Sequence, residues 1–236
     1  MKLLEYLKLN EGIQDKGIFK AVFMAGTPGS GKSYTISKIK SGKIWPRIVN
    51  TDKTFPLYKE DWFNNWNKIK DKVKTINKNQ LALYINSMLP LFVDGTSSQT
   101  STVLRRTGLL ESFGYDCGMV FINTNLETSL ERASKRERKV DPEFIKRVYD
   151  QTEKAKSFYR GKFDTWLEIN NNEGDLTNKV ILNAYKKISQ FYNSPMRNPI
   201  GKEYKKVMLK NGWKYLDPNI KDLNNIKALI DAWYQM

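Results

Sequence analysis

Phe19-Lys20-Ala21-Val22-Phe23-Met24-Ala25, followed at once by Gly26-Thr27-Pro28-Gly29-Ser30-Gly31-Lys32-Ser33, is the stretch that decides the fold. The first seven residues read as a buried strand, and a helical pattern begins at Lys32. Between them lies G-x-x-x-x-G-K-S, the spacing of a phosphate-binding loop (Walker A). Glycines let the backbone close around a polyphosphate, and the loop N–H groups and the N-terminus of the next helix point at its oxygens. In this spacing Lys32 reaches the β- and γ-phosphates and the Ser33 hydroxyl is a ligand for Mg²⁺. Gly26, Thr27, Pro28, Gly29, Ser30, Gly31, Lys32, Ser33 and the adjoining Tyr34 are therefore the expected contacts of ATP or another nucleoside triphosphate.

Composition narrows the chemistry around this loop. The 236 residues contain no histidine and one cysteine, Cys117. Zinc sites built on those ligands, histidine acid–base catalysis and disulfide frameworks are thereby excluded. No apolar run approaches the ~20 residues of a membrane helix, and Met1–Leu9 is too charged for a secretory leader. A cytoplasmic protein without a membrane partner is expected. Lys and Arg outnumber Asp and Glu by 40 to 25, a formal charge of +15. An excess of this size favours a polyanionic partner. A proteome rich in lysine would give the same excess.

Outward from the loop, strand and helix signals alternate. Residues 1–16 read as a short amphipathic helix, with Leu3, Leu4, Leu7 and Leu9 apolar and Lys2, Glu5 and Lys8 polar. Arg47–Asn50 reads as a short strand ending on Thr51-Asp52-Lys53, which sets Asp52 beyond a strand's C-terminal end, where ligands bind in open α/β sheets. Residues 57–89 read as a helical insertion rich in aromatics (Tyr58, Trp62, Phe63, Trp66, Tyr84) interleaved with lysines. That composition suits base stacking and phosphate steering, and equally an amphipathic pair packed on the core. Pro90–Gly95 is a third strand ending in Asp94, an expected Mg²⁺ ligand, direct or through water. Thr96, Ser97, Ser98 and Thr100 precede a helix over about 101–113 carrying Arg105 and Arg106. Tyr115–Asn123 is a fourth strand, and Thr124 or Asn125 caps a helix over about 126–137. Its end, Glu131 to Pro142, carries Arg132 and Arg136 four residues apart, expected on one helix face. A helix after Pro142, a strand over Phe163–Asn170, a loop and a helix over about 175–192 follow. From Asn193 the pattern changes to a small basic C-terminal module, 193–236. The alternation predicts an α/β three-layer sandwich: a mainly parallel five-stranded sheet with helices on both faces.

Taken together, residues about 19–170 resemble the polynucleotide kinase and zeta-toxin branch of the P-loop kinases, most closely the kinase domain of phage polynucleotide kinases. Four ordered pieces carry the likeness: G-T-P-G-S-G-K-S at Gly26–Ser33, N-T-D at Asn50–Asp52, V-D-G-T at Val93–Thr96 and E-R-A-S-K-R at Glu131–Arg136. The resemblance implies a kinase domain over 17–192 with a lid at 131–142 and the acceptor-side insertion at 57–89. It implies that Asp52 is the general base, that Lys32 and Ser33 hold phosphate and Mg²⁺, and that Arg136, with Arg132, supplies lid charge. Here the sequence departs from the family pattern in one place: Lys53 follows Asp52 where the family has a second acid, and no acceptor-binding arginine follows. The stretch lacks a D-x-D-x-T phosphatase signature. Lys53, Trp62, Trp66, Thr96 and Arg105 are the candidate acceptor contacts.

Three functions follow as expectations. The first is ATP- and Mg²⁺-dependent phosphorylation of a nucleic-acid hydroxyl, DNA more than RNA, at a polynucleotide 5′ end or a hydroxymethyl group of a modified base in phage DNA. The second is a zeta-toxin-like kinase acting on a nucleotide sugar or another small molecule. The third is a nucleotide-binding protein packaged in a virion, since the Met1–Leu9 leader resembles those of proteins carried inside large phage heads.

Overall fold

The computed structural model describes residues 17–39, 46–58, 65–136, 140–172 and 177–211. The expected N-terminal helix, Trp62 and the chain beyond Asn211 lie outside them. In order, the elements are β1 (Lys20–Ala25), α1 (Lys32–Ile39), β2 (Arg47–Val49), a 3₁₀ helix (Thr51–Tyr58), α2 (Trp66–Asn86), β3 (Leu91–Val93) and α3 (Thr100–Ser112). Then follow β4 (Asp116–Asn123), α4 (Leu126–Ser134), α5 (Pro142–Lys162), β5 (Thr165–Asn170), α6 (Asn178–Asn193) and α7 (Pro199–Asn211).

The five strands form one sheet in the order β2-β3-β1-β4-β5, every neighbouring pair parallel. Parallel strands need crossover helices, and these cover both faces. Strand alternation assigns the side chains. Ala21, Phe23 and Ala25 of β1 join Leu91, Val93, Met119 and Phe121 on one face, under α2, α3 and α5. Val22 and Met24 join Phe92, Val120 and Ile122 on the other, under α1 and α6. The three-layer α/β fold expected from the sequence is the one observed. Because β3 and β4 flank β1 in a parallel sheet, the loops after β1, β3 and β4 meet at one crevice beyond the C-terminal ends of the strands.

The opposite edge of the sheet is held by charge. Lys20 and Asp116, both buried, pair at 2.7 Å where β1 and β4 begin. The Lys20 amine also donates to Ser194 Oγ and the Pro195 carbonyl. Asp116 accepts the backbone N–H of Arg197 at 2.9 Å and of Asn198 at 2.7 Å. Burial pushes the Lys20 pKa down, and the Asp116 carboxylate opposes that shift. The pair thus ties the α6–α7 connection to the sheet. Beyond it, Met208 of α7 enters the core and Tyr204 meets Phe19 edge-on. Removing one member of a buried, hydrogen-bonded ion pair leaves the other unmatched. Asp116→Ala is expected to lower unfolding free energy by about 3–5 kcal/mol in urea denaturation. Lys20→Met is expected to cost less, because Asp116 keeps its two N–H donors.

Candidate active site

The loop after β1 is built to stay open. Ser30 N–H donates to the Thr27 carbonyl at 3.0 Å, closing a turn, and Gly26 N–H donates to Thr96 O at 3.1 Å, tying the loop to the segment after β3. The Thr35 N–H and hydroxyl both donate to Gly31 O, which starts α1 at Lys32. Two glycines are sterically required. Gly29 has φ +92°, and a Cβ there would run into the Ser129 carbonyl of α4. Gly31 has φ +95°, and a Cβ there would meet Asn171 Nδ2 at 2.5 Å. Both positions need glycine for backbone conformation and for space.

Lys32 folds back across the loop. Its amine donates to Gly26 O at 2.6 Å and Thr27 O at 2.9 Å. Burial lowers its pKa to about 8. The Asp94 carboxylate works against that shift, Arg136 adds to it, and Asp52 opposes it more weakly. One amine therefore senses three of the expected site residues at once. Asp94 follows β3 directly, its N–H bonded to Val49 O at 2.9 Å. Its Oδ2 accepts Asn50 Nδ2 at 2.7 Å and stands 3.5 Å from Ser33 Oγ. Burial raises the Asp94 pKa, the Lys32 charge and the Asn50 bond lower it, and Asp52 raises it. The side chain of Asn50 also accepts the Asp52 N–H at 2.7 Å, so it links the Asp94 carboxylate to the turn that carries exposed Asp52.

The residues present fit a divalent cation. Ser33 Oγ and Asp94 Oδ2 stand 3.5 Å apart as hard oxygen donors of the kind Mg²⁺ takes. Among the described residues no group of three or more acidic, histidine or cysteine side chains forms a closed metal cage.

The remaining expected residues are distributed as follows. Thr27 and Ser30 are buried in the loop, and Pro28 is half-buried. Tyr34 is exposed on α1, with the Lys38 amine 5.3 Å from its ring centre. Thr96 bonds the loop through its carbonyl, while its hydroxyl lies 3.3 Å from Ser98 Oγ. Arg105 is half-buried on α3. Lys53 belongs to the 3₁₀ helix and Trp66 opens α2.

Arg132 and Arg136 do not share a helix face. α4 ends at Ser134, whose hydroxyl bonds back to Glu131 O, and Arg136 lies beyond the helix with its N–H on Ala133 O. A serine bonding its own last turn competes with helix continuation. The two arginines then diverge. Arg136 is exposed, and its charge is felt at Lys32. Arg132 is half-buried, with Nη2 inaccessible and without a hydrogen-bond partner.

Sequence reasoning missed an asparagine brace on the other flank. Asn171 Nδ2 donates to Ser30 O at 2.7 Å, and Asn171 N–H donates to Asn123 O at 2.8 Å. Asn123 Nδ2 donates to Asn170 Oδ1, and Asn172 Oδ1 accepts the Asn125 N–H. Asn125 caps α4 through the Thr128 N–H. Thr124, the other expected cap, instead donates its hydroxyl to Ser30 O at 3.3 Å. The available signal was position: three asparagines at the end of β5, beside the loop after β1.

A parallel sheet of this order, with a phosphate loop after β1 and an acid after β3, is the arrangement of a P-loop nucleotide-binding fold. A family model described as Zeta toxin matches residues 5–194, and the chain belongs to that family. No curated protein sequence matches. The solved structures show fold likeness at low identity. A protein of Chloroflexus aurantiacus described as a kinase aligns with TM-score 0.53 and 11% identity, over 74% of this chain and 98% of that one. A chain of the Pnkp1/Rnl/Hen1 RNA repair complex gives 0.50 and 15%, over 64% of this chain and 48% of that one, so the match spans about half of its length. The PezAT toxin–antitoxin system of Streptococcus pneumoniae gives 0.47 and 16%, over 99% and 93%.

The lowered Lys32 pKa carries a sign that binding can test. A triphosphate beside the amine favours its charged form, so the bound pKa exceeds the free value of about 8. Below that pH the amine is already charged, and affinity is flat. Above it, binding must take up a proton, and ATP affinity is expected to fall by up to about tenfold per pH unit. Calorimetry between pH 7 and pH 9 in buffers of different ionisation enthalpy reads both the fall and the proton uptake.

Proposed function

We propose that the protein is an ATP- and Mg²⁺-dependent kinase that phosphorylates a hydroxyl on a nucleic acid, a polynucleotide 5′ end or a hydroxymethyl group on a modified base of phage DNA. The observation that carries the kinase reading is the hydrogen-bonded chain from Ser33 through Asp94 and Asn50 to the turn of Asp52, beside the phosphate loop. In this reading Asp52 accepts the proton of the acceptor hydroxyl. Phosphoryl transfer passes through a loose transition state, so the carboxylate mainly orients the attacking oxygen, which suits a chain with no histidine. Lys32 and the loop amides hold the β- and γ-phosphates, and Arg136 adds positive charge where the transferring group develops negative charge. Ser33 and Asp94 would hold Mg²⁺, which would supply positive charge against the developing negative charge of the phosphates.

The acceptor reading rests on what surrounds Asp52. Its 3₁₀ helix runs toward α2, where Tyr58 packs on Ile69 and Val73. The remaining surface of α2 carries Lys68, Lys70, Lys72, Lys74 and Lys78 against one acid, Asp71. A lysine-rich helix beside the proposed base suits a phosphate backbone better than a neutral metabolite. A chain of an RNA repair complex shares the fold, which is in keeping with that choice. Membership of the Zeta toxin family favours the second reading, a nucleotide sugar or another small molecule, and the missing arginine after Asp52 leans the same way.

Transfer of labelled γ-phosphate to DNA and RNA oligonucleotides and to nucleotide sugars separates the two. Incorporation into oligonucleotides, DNA above RNA, with binding that weakens steeply with salt, is expected. Transfer to a nucleotide sugar alone, insensitive to salt, would replace the first reading by the second. In either case Asp52→Ala is expected to lower kcat by about 10²–10⁴-fold with ATP affinity nearly unchanged.

A further inference from the structure

Ser30 is buried, yet its carbonyl takes two side-chain hydrogen bonds from outside the loop: Asn171 Nδ2 at 2.7 Å and Thr124 Oγ1 at 3.3 Å. The two donors come from different strands, since Thr124 follows β4 and Asn171 follows β5. Each is itself fixed. Thr124 is buried between the end of β4 and the Asn125 cap of α4, and buried Asn171 is held by its N–H on Asn123 O. The described chain has no cis peptide. In a planar trans peptide the C=O and N–H lie on opposite edges. Holding the Ser30 carbonyl against Thr124 and Asn171 therefore turns the Gly31 N–H the other way.

We infer that Asn171 and Thr124 are positioning residues that aim the Gly31 amide at the bound phosphates. The inference rests on the nucleotide-site reading above and extends it to two residues outside the phosphate loop. The clamp explains why Gly31 is crowded by Asn171: the amide must come that close to reach the carbonyl. It also fits the choice of side chains. Asn and Thr donate hydrogen bonds while adding no negative charge beside a polyphosphate. Asn171 Nδ2 serves the Ser30 carbonyl, and its Oδ1, buried and without a partner, is too enclosed to serve as a ligand contact.

The test is equilibrium binding of ATP and of inorganic tripolyphosphate, a probe that reports the phosphate cradle alone, by calorimetry on the full chain. Asn171→Ala and Thr124→Val are expected to weaken both ligands by the same factor, on the order of tenfold for Asn171→Ala and less for Thr124→Val, while Thr124→Ser binds like the unsubstituted protein. Asn171→Asp, the same shape without a donor and with a negative charge, is expected to bind worse than Asn171→Ala. Far-UV circular dichroism and ligand-free melting of each variant separate misfolding from loss of aim. If folded Asn171→Ala and Thr124→Val bind both ligands with unchanged affinity while Lys32→Ala loses them, the clamp is wrong and the nucleotide site stands. If the unsubstituted protein binds neither ligand, the nucleotide site falls and the clamp with it.

Discussion

Everything proposed for this protein depends on a loop of backbone amides keeping a shape that no side chain could share. The loop after β1 is hemmed in by the Ser129 carbonyl of α4 against Gly29 and by Asn171 against Gly31. Its first N–H is spent on Thr96 O, and its Ser30 carbonyl on Thr124 and Asn171. Unpaired backbone groups in a buried turn would cost more than the turn gains. Tethering to the ends of β3, β4 and β5 satisfies those groups and at the same time fixes where the remaining amides point. The sheet matters to function mainly as the frame that brings these three strand ends to one place.

Around that frame the polar groups are sorted by charge. On the β2–β3 side stand the carboxylates Asp52 and Asp94, joined through Asn50. On the β4–β5 side stand neutral amides, Asn123, Asn125, Asn170, Asn171 and Asn172. Lys32 lies between, its amine held over the loop by the Gly26 and Thr27 carbonyls and lowered in pKa by burial. The sorting is physically sensible. Negative charge is useful where a cation and a reacting hydroxyl would sit, and it would be harmful where the polyphosphate is cradled. Arg136, at the end of α4, adds positive charge at the mouth. At the far edge of the sheet, the Lys20–Asp116 pair does an unrelated task, fastening α7 to the core without touching the site.

Much of this was legible in the sequence, and the reasons differ by element. The strand–loop–helix at Phe19–Ser33 was readable because its periodicity changes at a motif with a mechanism. Asp94 was readable as a site candidate because it terminates an apolar run, which in a parallel sheet sets it at the ligand-binding end, whereas Asp52, two residues past a short strand, stood out only through the family resemblance. The fold followed from the alternation of elements. The end of α4 was misjudged because a run of charges keeps helical spacing on paper, whereas the helix ends at Ser134. The brace was illegible for a different reason. Asn123 and Thr124 lie far from Asn171 in sequence and meet it only because β4 and β5 are neighbours in register. Polar residues at strand ends look like ordinary loop until the topology shows which loop they face.

The most direct test of the central claim is a structure of the protein with Mg²⁺ and a non-hydrolysable ATP analogue. The account predicts the β- and γ-phosphates wrapped by the amides of residues 29–33, the metal between Ser33 and Asp94, and the Asp52 carboxylate in line beyond the γ-phosphate. An analogue bound away from the loop, or an Asp52 turned from the γ-phosphate with no room there for a hydroxyl, would contradict it.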